Sequence, residues 1–250
     1  MTAIPRRRTR RAALVGAACA LAATGTVLTG CGGEDPDEGT NGVGKLPAAQ
    51  IQARSRSAAE SADTVRLAGN VVAGGRTYKL DMRLKADGAS GAVTAAGTTF
   101  QLLRVGEELF LKADADFWTG AGGKGDDGDT AAGEKLDGKY VKVPQGDPSY
   151  KKFSVFTDMG VLLDGLLTLH GTLETDGRHE QAGLRTVRVT GDAGSGGTLD
   201  VSLDGKPYPL RLVRAGGAGT LTFSAWGKDF TLAEPEKDET VDYGKQLPTS

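Results

Sequence analysis

The apolar positions of this chain recur with a period of two over most of its length. Tyr78, Leu80, Met82 and Leu84 alternate with Thr77, Lys79, Asp81, Arg83 and Lys85, so one face of an extended segment is apolar and the other polar. That is the pattern of a strand with one buried and one wet face. Val65/Leu67, Phe100/Leu102, Leu109/Leu111, Val141/Val143, Val187/Val189, Leu199/Val201/Leu203, Leu210/Leu212, Leu221/Phe223 and Phe230/Leu232 repeat it. Asp87-Gly88, Asp137-Gly138, Asp176-Gly177, Asp204-Gly205 and Ala215-Gly216-Gly217 read as the turns between strands. The expectation is a long antiparallel meander.

Two stretches change to a helical period. Residues 47–62 place Ile51, Ser55, Ala58, Ala59 and Ala62 on one narrow face of small residues, and Pro47 suits a first turn. Asp147-Pro148 reads as a cap followed by a first turn. Phe153, Phe156, Met159, Leu163, Leu166 and Leu167 then recur at three- and four-residue steps, with Gly160 and Gly165 expected to weaken or split the helix. A strongly curved antiparallel sheet, covered by an N-terminal helix and an inserted helical segment, is an α+β fold. It makes an open barrel plugged by helices, which holds either a ligand or a filled core. Beyond Pro235 the charged chain is expected to fray, with residues 244–250 disordered.

The amino end follows another pattern. Arg6, Arg7, Arg8, Arg10 and Arg11 precede an uncharged stretch from Ala12 to Leu28, and no acidic residue appears before Glu34. A basic segment followed by a short apolar one is the layout of an export signal. The stretch ends in Leu28-Thr29-Gly30-Cys31, which resembles the lipobox of bacterial lipoprotein signals. That resemblance implies cleavage between Gly30 and Cys31 and a diacylglyceryl thioether on the Cys31 sulfur. The alternative, an uncleaved membrane span, is disfavoured because the stretch is rich in Ala, Gly and Thr and falls short of about 20 strongly apolar residues. Thr9-Arg10-Arg11-Ala12-Ala13-Leu14 also resembles a twin-arginine signal, with Ala13 where a bulky residue is usual. The choice between general secretory and twin-arginine export stays open. The expected organisation is a signal peptide over 1–30, a flexible tether over 31–46 from an acylated Cys31, and a folded domain over 47–243. Gly- and acid-rich composition motivates the tether, since such a segment has little to bury.

Composition narrows the chemistry. The signal takes five of the 30 basic residues and none of the 32 acidic ones, so the mature chain is acidic and has no concentrated basic patch. This argues against nucleic acid as a partner. Cys19 leaves with the signal and Cys31 is spoken for, so no disulfide is expected despite an oxidising location. His170 and His179 stand nine residues apart without a Cys or carboxylate cluster, a poor metal site. Asp126, Asp127 and Asp129 lack the alternating oxygen ligands and distant Glu of a calcium loop and read as a solvated loop. The Gly-rich run from Gly191 to Gly197 lacks a following Lys-Ser/Thr pair, so it reads as a hairpin loop and not a phosphate cradle. No serine sits in a Gly-x-Ser-x-Gly elbow. The chain is read as non-enzymatic, with no metal and no cofactor.

Across residues 47–243 the sequence resembles the actinobacterial LppX/LprG-type lipoproteins, whose fold is similar to that of the periplasmic lipid carriers LolA and LolB. The likeness is carried by Glu108-Leu109-Phe110-Leu111-Lys112, Phe117-Trp118 and Leu136-Asp137-Gly138-Lys139-Tyr140-Val141-Lys142-Val143. It continues in Tyr208-Pro209-Leu210-Arg211-Leu212, Leu221-Thr222-Phe223-Ser224-Ala225-Trp226-Gly227 and Ala233-Glu234-Pro235. The resemblance implies a half-barrel of about eleven strands enclosing an apolar cavity for an acylated lipid or glycolipid. It also implies a location on the extracytoplasmic face of the cell membrane and leaves room for an envelope protein partner. The chain departs from the family in a Gly/Asp-rich insertion over 119–135 and in having relatively few bulky apolar residues. The cavity candidates are Tyr78, Leu80, Met82, Phe100, Leu102, Leu109, Leu111, Phe153, Phe156, Leu163 and Leu166. Periodicity alone allows these residues to be packed core; the resemblance implies that they line a cavity. With a filled core, the chain would instead be a surface interaction or regulatory module.

Overall fold

The computed structural model describes residues 37–120, 133–242 and 247. The period-two segments form strands β1 (Thr64–Ala73), β2 (Arg76–Lys85), β3 (Gly88–Ala95), β4 (Thr98–Val105), β5 (Glu108–Ala113) and β6 (Tyr140–Val143). A second run gives β7 (Leu173–Gln181), β8 (Leu184–Gly191), β9 (Gly197–Ser202), β10 (Pro209–Arg214), β11 (Gly219–Ser224) and β12 (Thr240–Asp242). Helices are α1 (Ala48–Glu60), α2 (Ala115–Gly120), α3 (Pro148–Ser154) and α4 (Met159–Leu166).

The strands make one curved, unclosed sheet in the order β12-β6-β5-β4-β3-β2-β1-β11-β10-β9-β8-β7. Two meanders, β1 to β6 and β7 to β11, are joined where β1 pairs antiparallel with β11, Leu67 opposite Phe223. The connection from β6 to β7 must therefore travel from one side of the sheet to the far edge. It carries α3 and α4, which is why helices cover the inner face. Helix α1 packs on β7 to β10 and against α4.

The expected alternation holds along the register. Leu67, Leu80, Met82, Val93, Leu102 and Leu111 point inward and are buried with Val187, Val189, Leu199, Val201 and Leu221 in one apolar cluster. Arg66 and Asp81 face outward, bonded at 2.7 and 2.8 Å, as do Arg188 and Asp200 at 2.6 and 3.1 Å. On α1, Ile51, Ser55, Ala58 and Ala59 are buried, the expected face of small side chains. Small residues let the helix axis approach the sheet. The seam between the two meanders bends at Gly69 (φ +141°) in β1 and Gly219 (φ +124°) in β11. A Cβ on either would lie 2.1 Å from a carbonyl oxygen of the facing strand, so both positions require glycine.

Several expectations need correction. The tether does not extend to residue 46. Residues 37–46 fold back on the sheet, with Val43 buried and Asn41 Nδ2 donating to the Ser202 carbonyl at 2.9 Å and the Gly205 carbonyl at 3.1 Å. With Arg185, which donates to the Glu38 and Gly39 carbonyls at 3.2 and 3.1 Å, these contacts order a Gly-rich segment that composition alone marks as loose. The inserted helix is split, but at neither glycine. Asp158 caps α4 by accepting from the Val161 amide at 2.9 Å, and residues 155–157 form the break. Asp176-Gly177 is not a turn between strands. It lies inside β7, where the register shifts between Thr175 and Arg178 and Gly177 takes φ +71°, a bulge.

The carboxyl end does not fray beyond Pro235. After β11 the chain crosses beneath the sheet, Thr64 Oγ1 donating to the Lys228 carbonyl at 3.0 Å and Lys85 Nζ to the Phe230 carbonyl at 3.2 Å. It then adds β12 parallel to β6, Val241 opposite Val141. The described residues thus give twelve strands with one parallel pair, in keeping with the expected curved sheet of about eleven mostly antiparallel strands. Within the expected disordered stretch 244–250, Leu247 is buried and its amide donates to Asp147 Oδ2 at 2.7 Å. The other edge, β7, has the sequence Leu-Glu-Thr-Asp-Gly-Arg-His-Glu-Gln and is exposed along most of its length.

Candidate functional site

The candidate site is the packed interface between the inner face of β1 to β6 and the helices α3 and α4. Asp147 starts α3 by accepting the Ser149 amide at 2.7 Å, with Pro148 at the first helical position. From there the insert turns apolar side chains toward the sheet and keeps its polar ties at the rim. Arg104, on β4, donates through Nη2 and Nε to the Thr157 carbonyl at 2.9 and 3.2 Å and through Nη1 to the Gly106 carbonyl at 3.0 Å. The Tyr150 hydroxyl donates to the Glu107 carbonyl at 2.8 Å, and burial pushes that phenol above its ordinary pKa. Arg56 of α1 reaches Asp164 of α4 at 2.5 Å and Thr168 at 3.0 Å.

Within this frame the sequence candidates separate into two groups. Met82, Leu109 and Leu111 are 0% exposed and Leu80 and Leu102 only 1%, so no water-sized space touches them. Phe100, Leu163 and Leu166 are also buried. Tyr78, Phe153 and Phe156 are half-buried and pack against this cluster. They form an aromatic seam where the insert meets the sheet. Tyr78 and Phe156 have ring centroids 5.5 Å apart, and Phe100 lies 5.4 Å from both Phe153 and Phe117. Phe117 in turn meets Trp118 edge-on at 5.1 Å. Phe117 and Trp118 belong to the site although alternation did not select them; they sit on a short helix after β5, outside any strand pattern. The seam carries no charged side chain, since its members are Phe, Tyr and Trp.

The remaining candidates do not join a site. Gly30, Cys31, Asp126, Asp127 and Asp129 lie outside the described residues, as does the insertion over 121–132. His170 is exposed, while His179 Nε2 lies 2.6 Å from the Asp176 carbonyl within β7. Among the described residues no three His, Cys, Asp or Glu side chains gather to hold a metal. No helix of the described residues is long and apolar enough to cross a membrane. On β10 the bulge between Pro209 and Arg211 breaks the expected equivalence of Leu210 and Leu212. Leu212 remains in the core, and Leu210 lines a groove on the outer face.

No family model matches the sequence, and no curated protein matches it. Solved structures do. LprF from Mycobacterium bovis superposes with a TM-score of 0.53 at 18% identity, over 75% of this chain and 96% of that one. The Mycobacterium tuberculosis lipoprotein LppX gives a TM-score of 0.46 at 18% identity, over 74% of this chain and 99% of that one. Such identities speak for architecture: a large curved, unclosed, mostly antiparallel sheet with a few helices on it. The likeness to LprF gives this chain the LppX/LprG-type fold.

Proposed function

We propose that the protein is a non-enzymatic lipoprotein, anchored through acylated Cys31 on the extracytoplasmic face of the cell membrane, that takes up the acyl chains of a lipid or glycolipid between its sheet and its helical insert. The observation that carries this reading is the aromatic seam over an interior of Leu, Val, Met and Phe side chains, closed by an insert whose polar ties lie at the rim. Parting two aromatic pairs costs about 1–3 kcal/mol. An acyl chain that buries about ten methylenes gains about 8 kcal/mol. Chain burial exceeds the cost of the aromatic contacts taken by themselves, and in this reading α3 and α4 act as the moving wall. The lipobox residues support the anchor, and the fold supports lipid binding by likeness to a lipoprotein architecture.

The test is native mass spectrometry of the protein mixed with phospholipid vesicles and then separated from them. One lipid per chain is expected. Chains that stay empty, with no uptake of a fluorescent fatty acid, would remove the carrier reading. Mass spectrometry of the membrane fraction tests the anchor separately, since an unmodified Cys31 is incompatible with it.

The complete burial of Leu80, Met82, Leu102, Leu109 and Leu111 favours a second reading, a filled scaffold that serves as a surface interaction or regulatory module. In that case an envelope protein would be the partner and no lipid would enter.

A further inference from the structure

The outer face of the sheet carries a feature that lipid uptake does not use. Where β8 begins and β9 and β11 end, Leu184, Tyr208, Leu210 and Trp226 line a groove of about 550 Å³. Register places Leu184 on the face opposite the inward Val187 and Val201. Leu184 is 43% exposed, unusual for a leucine in a sheet. The Tyr208 and Trp226 rings stack at 4.6 Å, 4° from parallel, and Trp226 Nε1 donates to the Pro209 carbonyl at 3.1 Å, which fixes the indole. A second hollow of about 450 Å³, bordered by Arg66 and Arg83, shares Ser224, Ala225 and Lys228 with the first.

Two acids beside the groove are paired. Arg185 holds Asp204 at 2.6 Å and keeps its carboxyl below the usual range, and Lys85 lies 3.5 Å from Asp229. Lys206, over the Tyr208 ring at 5.9 Å, and Lys228 make no ion pair among the described residues. Two lysines without an ion pair thus flank the groove, although the chain as a whole is acidic.

The first of the described residues sit at the same place. The Arg185 guanidinium that holds Asp204 also donates to the Glu38 carbonyl at 3.2 Å and the Gly39 carbonyl at 3.1 Å. Cys31 precedes Glu38 by seven residues, at most about 25 Å of extended chain. A lipid on Cys31 thus keeps the groove close to the leaflet that holds it.

We propose that this groove is a membrane-docking face: Leu184, Tyr208 and Trp226 enter the interfacial layer of an anionic bilayer while Lys206 and Lys228 meet its phosphates. Tyr and Trp favour the water–hydrocarbon boundary because each has an apolar ring and a polar handle. Lysine stems lie along apolar surface and present the ammonium to headgroups. Docking rests on the reading that Cys31 is the anchor, and it fixes which way the domain faces the bilayer.

The experiment uses the protein purified from membranes and reconstituted in vesicles containing brominated lipid. One set is phosphatidylcholine and the other equal parts phosphatidylcholine and phosphatidylglycerol. Emission of Trp226 is read in a Trp118→Phe background or, should that variant fold poorly, as the difference between the parent and Trp226→Phe. Quenching should be roughly twofold or more stronger in the anionic vesicles. Lys206→Glu with Lys228→Glu should return it to the neutral level without changing the melting temperature. Protein that remains vesicle-bound with equal quenching in both sets overturns docking and leaves the anchor intact. Protein that leaves the vesicles overturns both. Cross-linked dimers that Leu184→Asp dissolves, with quenching unchanged, would assign the groove to a second copy instead.

Discussion

Asp147 and Leu247, a hundred residues apart, meet at one carboxylate: Oδ1 accepts the Ser149 amide at 2.7 Å and Oδ2 accepts the Leu247 amide at 2.7 Å. A single side chain therefore starts α3 and fastens the carboxyl end of the chain to it. Asp147→Ala should cost about 1–2 kcal/mol for the lost cap. The lost hydrogen bond from the Leu247 amide to the charged carboxylate adds about 1.5–3 kcal/mol. Urea denaturation measures both, and Asp147→Asn, which keeps one acceptor oxygen, should lose less.

Leu80 of β2 and Leu163 of α4 belong to one buried apolar cluster and are 1% and 2% exposed. Leu80→Trp or Leu163→Trp should destabilise the empty protein by roughly 1–3 kcal/mol through overpacking. If the interior admits lipid, the same changes also block uptake. A variant as stable as the parent, with uptake unchanged, would show that neither leucine matters to the interior.

Arg104 is the main polar tie of the insert to the sheet, through the Thr157 carbonyl. Net values for hydrogen bonds to charged groups are about 1.5–3 kcal/mol. Arg104→Ala should therefore speed amide exchange roughly tenfold or more in residues 147–166. Exchange in β1 to β3 should stay as in the parent, and lipid uptake should become faster. Hydrogen-exchange mass spectrometry reads the first two and fluorescent fatty-acid binding the third.

The Arg66 guanidinium beside Asp81 holds its carboxyl below the usual carboxylate range, and Arg185 does the same to Asp204. A carboxyl depressed in the folded state adds stability above its unfolded pKa, near about 4. That contribution is lost as pH falls through the lower folded value. Asp81→Asn should therefore melt slightly below the parent at neutral pH and converge with it in acid. Both partners are about half exposed, so solvent screening keeps the difference small. Melting curves at neutral and strongly acid pH decide it.

Much of the fold was legible because side-chain alternation has a direct physical cause. Leu80, Met82 and Leu84 could only share a face, and the structure buries all three. Ile51, Ser55 and Ala59 likewise marked the buried face of α1. What escaped was set by partners distant in sequence. Thr240-Val241-Asp242 has one apolar residue and becomes a strand only because Tyr140-Val141-Lys142 offers an edge. Val43 is one apolar residue in a Gly-rich run, buried where its neighbour Asn41 reaches the Ser202 carbonyl of β9. Leu184 and Trp226 were not marked as a surface pair because neither belongs to an inward alternation; a register had to exist before they could be seen to line one groove.

The unpaired rim of β7 offers backbone donors and acceptors to any passing strand. Its Glu174, Asp176, Arg178 and Glu180, with the kink at Gly177, make that ribbon too charged and too bent to template a neighbour. Many copies crowded side by side on one surface would thereby remain separate molecules, and sheet-to-sheet growth into insoluble fibres would be blocked at its first step.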